Sequence, residues 1–378
     1  MIKVAEIISD TNVGGAGILL LNRLKATDRT RFDTAVVLPK GSKLIPRLEK
    51  EGIKTVNLSR GADRSLDIIA LRQYINALRR LEPQIVNTHG SLTGRIAAFL
   101  MGVPVRISTR HCVFPLSGIY RYNVIKGCVA TLTALLSHCV IAVAHSAKAQ
   151  LVEMGVPSNK IAVIINGAQP LRRANRQECQ RLKQRLGIPV GTTVVTICAR
   201  LEPCKDHNCF LRAAAMLCRS KKDFFFLVIG TGSREAELRQ TAEKLGISDR
   251  VIFTGFVEDV APYMSITDVN VNCSVGTETS SLALSEGMSL GVPAVVSDYG
   301  GNPYMVQNGK NGYVYKAGDS SALCRRILSI TEDKEKYLRM SQAARERFEK
   351  ELNSRAMTEK TQKLYEALYN AKNNAERS

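Results

Sequence analysis

Short apolar strands alternate with helical stretches along most of this chain, and that alternation leaves few folds open. The runs KVAEII, TAVVL, KTVNL, IVNTH, VRISTR, VIAVA and IAVII read as strands. Between them lie segments with apolar residues at i, i+3 and i+4, such as LDIIALRQYINALRRL over 66–81, which predict helices. Apolar strands separated by helices predict a parallel sheet covered on both faces. The rhythm breaks over 166–189, a polar, basic, Pro-containing stretch. It restarts with VVTICA, FFFLVIG, VIFTGF, VNVNCS and PAVVSD, and helices are expected near 206–219, 233–245, 280–290 and 319–331. Beyond Asp333 a charged helical tail holds no further strand. The expectation is an α/β chain of two Rossmann-like, doubly wound domains, 1–170 and 190–335, facing a central cleft. A helical segment, 336–378, is expected to cross back onto the first domain. Ligands of open α/β sheets bind outside the carboxyl ends of the strands, so residues just after strands are the ones to search.

Charge narrows the partners. The chain carries 53 Lys and Arg against 34 Asp and Glu, a net +19. Of these, 25 basic and 11 acidic residues fall within 1–180, so the excess sits in the first half. Such an excess predicts a polyanionic neighbour: nucleic acid, anionic lipid or a phosphorylated substrate. No basic run, aromatic interleaving or zinc spacing accompanies it, which argues against nucleic acid. Trp is absent, which argues against a module that stacks sugars on exposed indoles. Ten Cys are dispersed without a CxxC and fit a reducing cytoplasm. Cys204, His207 and Cys209 lie close together but lack a second ligand pair, so neither a metal nor a cofactor is expected. Lys3 and Glu6 in the opening strand argue against a signal peptide. Residues 127–147 contain no Asp, Glu, Lys or Arg. Ser, Thr and two His interrupt them, so they read as a helix and a buried strand rather than a membrane span.

Four groups of residues could carry chemistry. Glu278 and Glu286 stand eight apart around the start of a predicted helix, and that spacing can place both on one helix face. Exposed N–H groups at such a start attract phosphate, and carboxylates can grip sugar or ribose hydroxyls. Arg200 and Lys205 follow strand VVTICA; a guanidinium fork and an ammonium together suit a diphosphate. Asp206 is a candidate N-cap for the helix that follows. Gly14 and Gly15 follow the first strand, and Gly230 and Gly232 follow FFFLVIG; all four allow close backbone approach to a ligand. Position 235 is Glu, so no dinucleotide fingerprint is formed, and no GxxxxGK[ST] occurs. His89 and His111 end strands at the predicted ligand edge, while His138 reads as structural. They form no nucleophile triad.

Taken in order, these pieces resemble the retaining GT-B glycosyltransferases of family four. ARLEPCKDHNCFLRAAAML resembles that family's donor-phosphate motif. VIGTGSREAELRQTAEKLGISDRVIFTGFVEDVAPYMSITDVNVNCS resembles its nucleotide-side core, and ETSSLALSEGMSLGVPAVVSDYGGNPYMVQNGKNGYVY its two-glutamate signature. In the first half, Gly14-Gly15, TRH ending at His111, and IINGAQP match its usual placements. The resemblance implies that Arg200 and Lys205 hold the donor diphosphate and that Glu286 binds the ribose hydroxyls. Glu278 would face the transferred sugar, and His111 would hydrogen-bond it. Gly15 would bring a backbone N–H to the distal phosphate, and the loop with Phe256 and Val257 would contact the base. Two departures stand out: Thr279-Ser280 replaces Gly-Phe, which leaves the sugar open, and Gly287 replaces Ala, a small change.

The expected function is a retaining, metal-independent transfer of a sugar from a nucleotide-sugar, a UDP-sugar, to a hydroxyl of a glycan or polyprenyl-linked lipid acceptor. The setting is cell-surface polysaccharide or glycolipid synthesis. Charge develops on the departing diphosphate, where fixed cations and helix N-termini stabilise it. Family resemblance implies front-face attack, with the leaving phosphate helping to remove the acceptor's proton. The rival enzyme reading is a GT-B nucleotide-sugar epimerase, and the rival from another class is a nucleic-acid-binding protein. The basic first half predicts a cytoplasmic protein held peripherally on the anionic inner face of the cell membrane. Phe114, Ile119 and Tyr120-Arg121-Tyr122 are its expected edge.

Overall fold

The computed structural model describes residues 1–11, 14–60, 67–113, 116, 118–220 and 223–377. The chain forms two compact units, Met1–Gly167 with Ser354–Ser378, and Ala168–Asn353. The closing helical segment is therefore divided. Helix Lys334–Arg347 and the π-helical turn Phe348–Leu352 belong to the second unit, and helix Ser354–Arg377 to the first. Asn353 ends the π turn by donating from Nδ2 to the carbonyls of Phe348 at 3.0 Å and Glu349 at 2.6 Å.

The first unit is built on seven parallel strands: β1 (Ile2–Ile8), β2 (Phe32–Leu38), β3 (Lys54–Asn57), β4 (Ile85–His89), β5 (Val105–Arg110), β6 (Cys139–Ala142) and β7 (Ile161–Val163). They lie in the order β3-β2-β1-β4-β5-β6-β7. Each side of the sheet carries its own core, as helix-covered apolar strands require. One contains Ile7, Val86, Tyr74 and Leu78, and another Ile8, Val36, Leu20 and Leu24. The expected helix over 66–81 is Ile68–Leu81, capped by Asp67, whose side chain accepts from Ile69 and Ala70. The uncharged stretch 127–147 is helix Asn123–Leu136 followed by β6. No helix among the described residues is long and apolar enough to cross a membrane.

The second unit has six parallel strands: β8 (Thr193–Cys198), β9 (Phe224–Ile229), β10 (Val251–Gly255), β11 (Val269–Asn272), β12 (Ala294–Ser297) and β13 (Gly312–Tyr315). Their order is β10-β9-β8-β11-β12-β13. Val195, Ile197, Phe210, Phe226, Val271 and Ile327 lie in its main core. Besides the short helices Ala261–Ser265 and Asn302–Met305, two elements escaped the periodicity. The polar stretch before β8 holds helix Arg176–Arg185, which buries only Leu182 and so shows no apolar stripe. A capping box starts it, with Glu178 and Asn175 each accepting from the other's N–H. β13 is a four-residue edge strand beginning at Gly312, where a Cβ would stand 1.9 Å from the Ala294 carbonyl oxygen.

Strand order reverses between β1 and β4 in the first sheet, and between β8 and β11 in the second. At such switch points the flanking loops splay apart and leave a crevice at the carboxyl edge.

Candidate active site

In the second unit, the loop after β8 carries Arg200 and Lys205. Ala199 N donates to the Ile229 carbonyl and Leu201 N to that of Thr231, both at 3.0 Å. This contact leaves no room for side chains opposite. A Cβ on Gly230, whose φ is +133°, would meet the Ala199 oxygen at 2.2 Å, and one on Gly232 the Leu201 oxygen at 2.5 Å. Both glycines, expected at the donor, thus serve the seating of the cationic loop. Arg200 is exposed. Lys205 closes the 3-10 turn Pro203–Lys205, and Asp206, in the left-handed region at φ 42°, caps helix His207–Leu217 by accepting from Cys209 N at 3.1 Å. That turn aims Lys205 across the switch point. Its Nζ lies 2.7 Å from Glu278 Oε2 and 3.3 Å from Ser274 Oγ.

Glu278 does not share a helix with Glu286, contrary to the spacing argument. Ser281 caps the helix Leu282–Ser289 and excludes Glu278 from it. Glu278 Oε2, besides meeting Lys205, accepts from Asn272 Nδ2 at 3.0 Å and Ser274 Oγ at 2.9 Å. Glu278 is 5% exposed. Burial opposes its charge, yet the Lys205 ammonium and these hydrogen bonds outweigh it and hold the carboxyl below its usual range. The loop is strained and clamped. Thr277 has φ 51°, costly for a β-branched residue. Cβ atoms on Gly300 and Gly301 would stand 2.1 and 1.4 Å from the carbonyl oxygens of Glu278 and Thr279. Beneath, Ser297 Oγ donates to the Ser274 carbonyl at 2.6 Å, and Asn302 Nδ2 to Ser297 Oγ at 3.0 Å.

Glu286 sits mid-helix, partly buried, and burial raises its pKa. Its carboxylate has no hydrogen bond or ion pair among the described residues. Such a group is stabilised by any hydroxyl donors that reach it. The departure at Gly287 has a steric reason: a Cβ there would lie 2.6 Å from Asn270 Nδ2, which donates to the Ala283 carbonyl. Phe256, past the end of β10, is 73% exposed, whereas Val257 packs on the cluster with Ile229.

In the first unit, His111 follows β5 and meets His89, Nε2 to Nδ1 at 2.7 Å. Together with Arg23, Asn87, Thr109 and Asn166 they line a pocket walled by Leu19, Ile141 and Ile164. Burial, then the charges of His89 and Arg23, push the His111 pKa down to about 3, so the ring is neutral. Gly14 caps helix Gly15–Lys25 and both glycines are exposed; a Cβ on Gly15 would meet nothing within 4 Å. Protein packing therefore does not demand glycine at 15. His138 is structural, accepting from Arg106 N at 3.0 Å.

Of the expected residues, Lys205 and Glu278 are thus in direct contact. Asn272, Ser274, Asn302, Gly300 and Gly301 escaped the sequence reading, as did Glu6, Arg23, Asn87 and Tyr365. The available signal was polar residues inside buried strands: Asn272 in VNVNCS, Asn87 in IVNTH and Glu6 in KVAEII. Among the described residues, no three His, Cys, Asp or Glu stand together as a metal site.

Known proteins resemble this chain in sequence and in fold. A family model described as glycosyl transferases group 1 matches residues 179–347, and one described as glycosyltransferase family 4 matches residues 13–170. The chain is 26% identical over 346 residues to the Escherichia coli UDP-Gal:alpha-D-GlcNAc-diphosphoundecaprenol alpha-1,3-galactosyltransferase, covering 88% of this chain and 89% of that one. It is 27% identical over 294 residues to the 2-deoxystreptamine glucosyltransferase of Streptomyces kanamyceticus, covering 73% and 76%. The solved structure of Anabaena Alr3699/HepE in complex with UDP superposes with a TM-score of 0.83 at 21% identity, over 97% of this chain and all of that one.

Proposed function

The chain is a GT-B glycosyltransferase of the group 1 family, and from that membership we infer that it transfers a sugar from a UDP-sugar, with retention and without a metal, to a glycan or polyprenyl-linked acceptor. The observation that carries the reading is the Lys205–Glu278 pair at the switch point of the second sheet. An ammonium has three N–H donors. Glu278 and Ser274 occupy two of them, and the third is directed to the diphosphate, where leaving-group charge grows. Exposed Arg200 adds a second cation there. Glu286, without a protein partner among the described residues, receives the ribose hydroxyls, and Phe256 offers a face to the base. Glu278 faces the transferred sugar, His111 hydrogen-bonds it, and the N–H of Gly15 reaches the distal phosphate. The leaving phosphate takes the acceptor's proton after front-face attack. The Escherichia coli relative is named for a UDP-Gal donor and a diphosphoundecaprenol acceptor, and the Anabaena neighbour holds UDP; both support this choice.

Melting the protein with UDP-, GDP- and ADP-sugars tests the donor, because ligand that binds only the folded state raises the melting temperature. UDP-sugars alone should raise it, and free UDP should accumulate once a lipid-linked acceptor is added. A shift with GDP- or ADP-sugars only would refute the donor.

The same reading places the protein peripherally on the inner face of the cell membrane. Helix Asn123–Leu136 buries only Thr133 and Leu136, while Val124, Leu132 and Leu135 are 76, 48 and 49% exposed on one stripe. Ile119 and Tyr122 extend the stripe, beside Arg121. Phe114 and the side chain of Tyr120 lie outside the described residues. Apolar residues flanked by cations suit an anionic lipid surface, with about 1 kcal/mol per nearby Lys or Arg. The full-length protein should sediment with anionic vesicles at low salt, release at high salt, and lose sedimentation in Val124→Glu/Leu132→Glu. Equal sedimentation with neutral vesicles would overturn the docking.

A further inference from the structure

The second unit carries a cleft at the amino ends of its strands, opposite the edge that holds Lys205 and Glu278. Thr267 and Asp268 line it just before β11, and Gly291 and Val292 just before β12. Its volume is ≈ 330 Å³, within the range of small-molecule sites. Met264, Leu290 and Val292 form a packed apolar patch along it. The polar lining offers mostly donors. Arg173 is exposed and bonds the Leu290 carbonyl through one N–H, which leaves the rest of its fork open. Lys183, on helix Arg176–Arg185, bonds nothing among the described residues. Neither cation has an acidic partner among those residues. Arg345 stands at the rim: a Cβ on Gly291 would lie 3.7 Å from its Nη2 and 2.9 Å from Ser341 Oγ. The Tyr337 hydroxyl makes no hydrogen bond among the described residues, and burial pushes its pKa up to about 12, so it is a neutral donor. The lining carboxylate, Asp268, is already engaged, with Oδ2 accepting from Val194 N at 2.8 Å.

We propose that this cleft is a second ligand site, taking a phosphate monoester of a small hydroxylated compound between Arg173 and Lys183. Charge selects the phosphate. Two cations, with Arg345 at the rim, face one carboxylate that a backbone N–H already engages. A phosphate monoester near neutral pH carries close to two negative charges and three acceptor oxygens. It can therefore satisfy an Arg fork, an ammonium and the Tyr337 hydroxyl together. A carboxylate brings one charge and two oxygens, and leaves a cation uncompensated. The apolar patch receives the carbon skeleton of the ester. Such a ligand ties three pieces of chain together: the segment holding Arg173, helix Lys334–Arg347 through Tyr337, and the turn at Leu290. Leu290 is also the C-cap of helix Leu282–Ser289, which carries Glu286. The site uses none of the residues assigned to the donor and does not depend on that assignment.

Equilibrium dialysis of the full-length protein against labelled ribose 5-phosphate, with UDP in excess, reads the site without an activity assay. Ribose 5-phosphate should bind, and gluconate, a carboxylate of similar size, should bind at least about tenfold more weakly. Lys183→Gln has no protein contact to lose among the described residues, so it should fold normally and weaken ribose 5-phosphate binding by about tenfold, the contribution of one charged hydrogen bond. Arg173→Gln should weaken it as much or more. Arg181 and Arg185 are exposed on the same helix outside the cleft, so Arg181→Gln/Arg185→Gln should leave the affinity unchanged. Absence of ribose 5-phosphate binding, equal binding of gluconate, full affinity in Lys183→Gln, or equal weakening by the Arg181/Arg185 pair overturns the site. Ribose 5-phosphate binding, lost in Lys183→Gln, by a protein that does not bind UDP would instead leave the site standing and sink the donor assigned above.

Discussion

Replacing Lys205 with Met separates what the buried pair does for folding from what it does for chemistry. Glu278 is nearly enclosed, and Lys205 Nζ at 2.7 Å is its cation. Removing one partner of a buried pair leaves an uncompensated charge and costs about 3–5 kcal/mol. The cost here belongs at the lower end, because Asn272 and Ser274 still donate to Glu278. The pH dependence should invert. In the unaltered protein the folded pKa of Glu278 is lowered, so its contribution is full above the usual carboxylate range and fades as pH falls through the folded value. In Lys205→Met, burial dominates and raises the folded pKa. The variant then gains stability relative to neutral pH as acid protonates Glu278, with a slope of up to about 1.4 kcal/mol per pH unit. Urea unfolding from pH 4 to 8 measures both slopes. Lys205→Met/Glu278→Gln removes both charges and should recover most of the lost stability, while turnover stays down about 100–1000-fold. Normal turnover in the single variant, or no recovery of stability in the double one, would refute the shared role.

Three further outcomes follow from the same geometry. Glu286→Gln should weaken UDP binding in calorimetry by about 1.5–3 kcal/mol, the contribution of hydrogen bonds to a charged group, with little change in melting; unchanged affinity removes Glu286 from the ribose. Gly287→Ala should destabilise by about 1–3 kcal/mol through overpacking against Asn270, and an Asn270→Ala background should abolish the penalty; an equal penalty in both backgrounds refutes the contact. His111→Ala should lower turnover while UDP affinity holds, since the residues assigned to base and ribose lie in the other unit; a parallel loss of UDP binding would make His111 structural.

The fold was legible because periodicity belongs to whole segments. A strand apolar on both faces announces a covered parallel sheet however its neighbours are numbered, and 127–147 resolved into helix and strand on that basis. Helix Arg176–Arg185 and β13 were hidden because one buries a single Leu and the other is a short edge containing Gly. Asn353 was not readable as a boundary, since helical pattern runs across it and only a side-chain cap interrupts it. Within the site, residue types were legible and contacts were not. A spacing of eight says where two carboxylates fall if both are helical, but Thr277 in the left-handed region and the Ser281 cap remove Glu278 from the helix. Glu6 shows the converse: in sequence it is a charge in a strand, and only the register β1 to β4 brings it to Asn87 and His89.

The two sheets solve one electrostatic problem in two ways. Each buries a carboxylate at its switch point, Glu6 between β1 and β4 and Glu278 past β11, and each must supply a cation for it. For Glu6 the cation is Arg23, itself buried, whose guanidinium is held beside the Tyr365 ring. A planar fork held between that carboxylate and that ring keeps one orientation at the wall of the His111 pocket. For Glu278 the cation is Lys205, a point charge on a flexible stem with 15% of its side chain exposed. An ammonium can turn one N–H outward without leaving its carboxylate. The choice of Arg in one unit and Lys in the other therefore separates a rigid scaffold from a charge that can reorient, the property that the role proposed for Lys205 requires. Exchanging them, with Arg23→Lys in one protein and Lys205→Arg in another, should loosen the His89–His111 contact in the first. In the second, the pair should persist with slowed transfer.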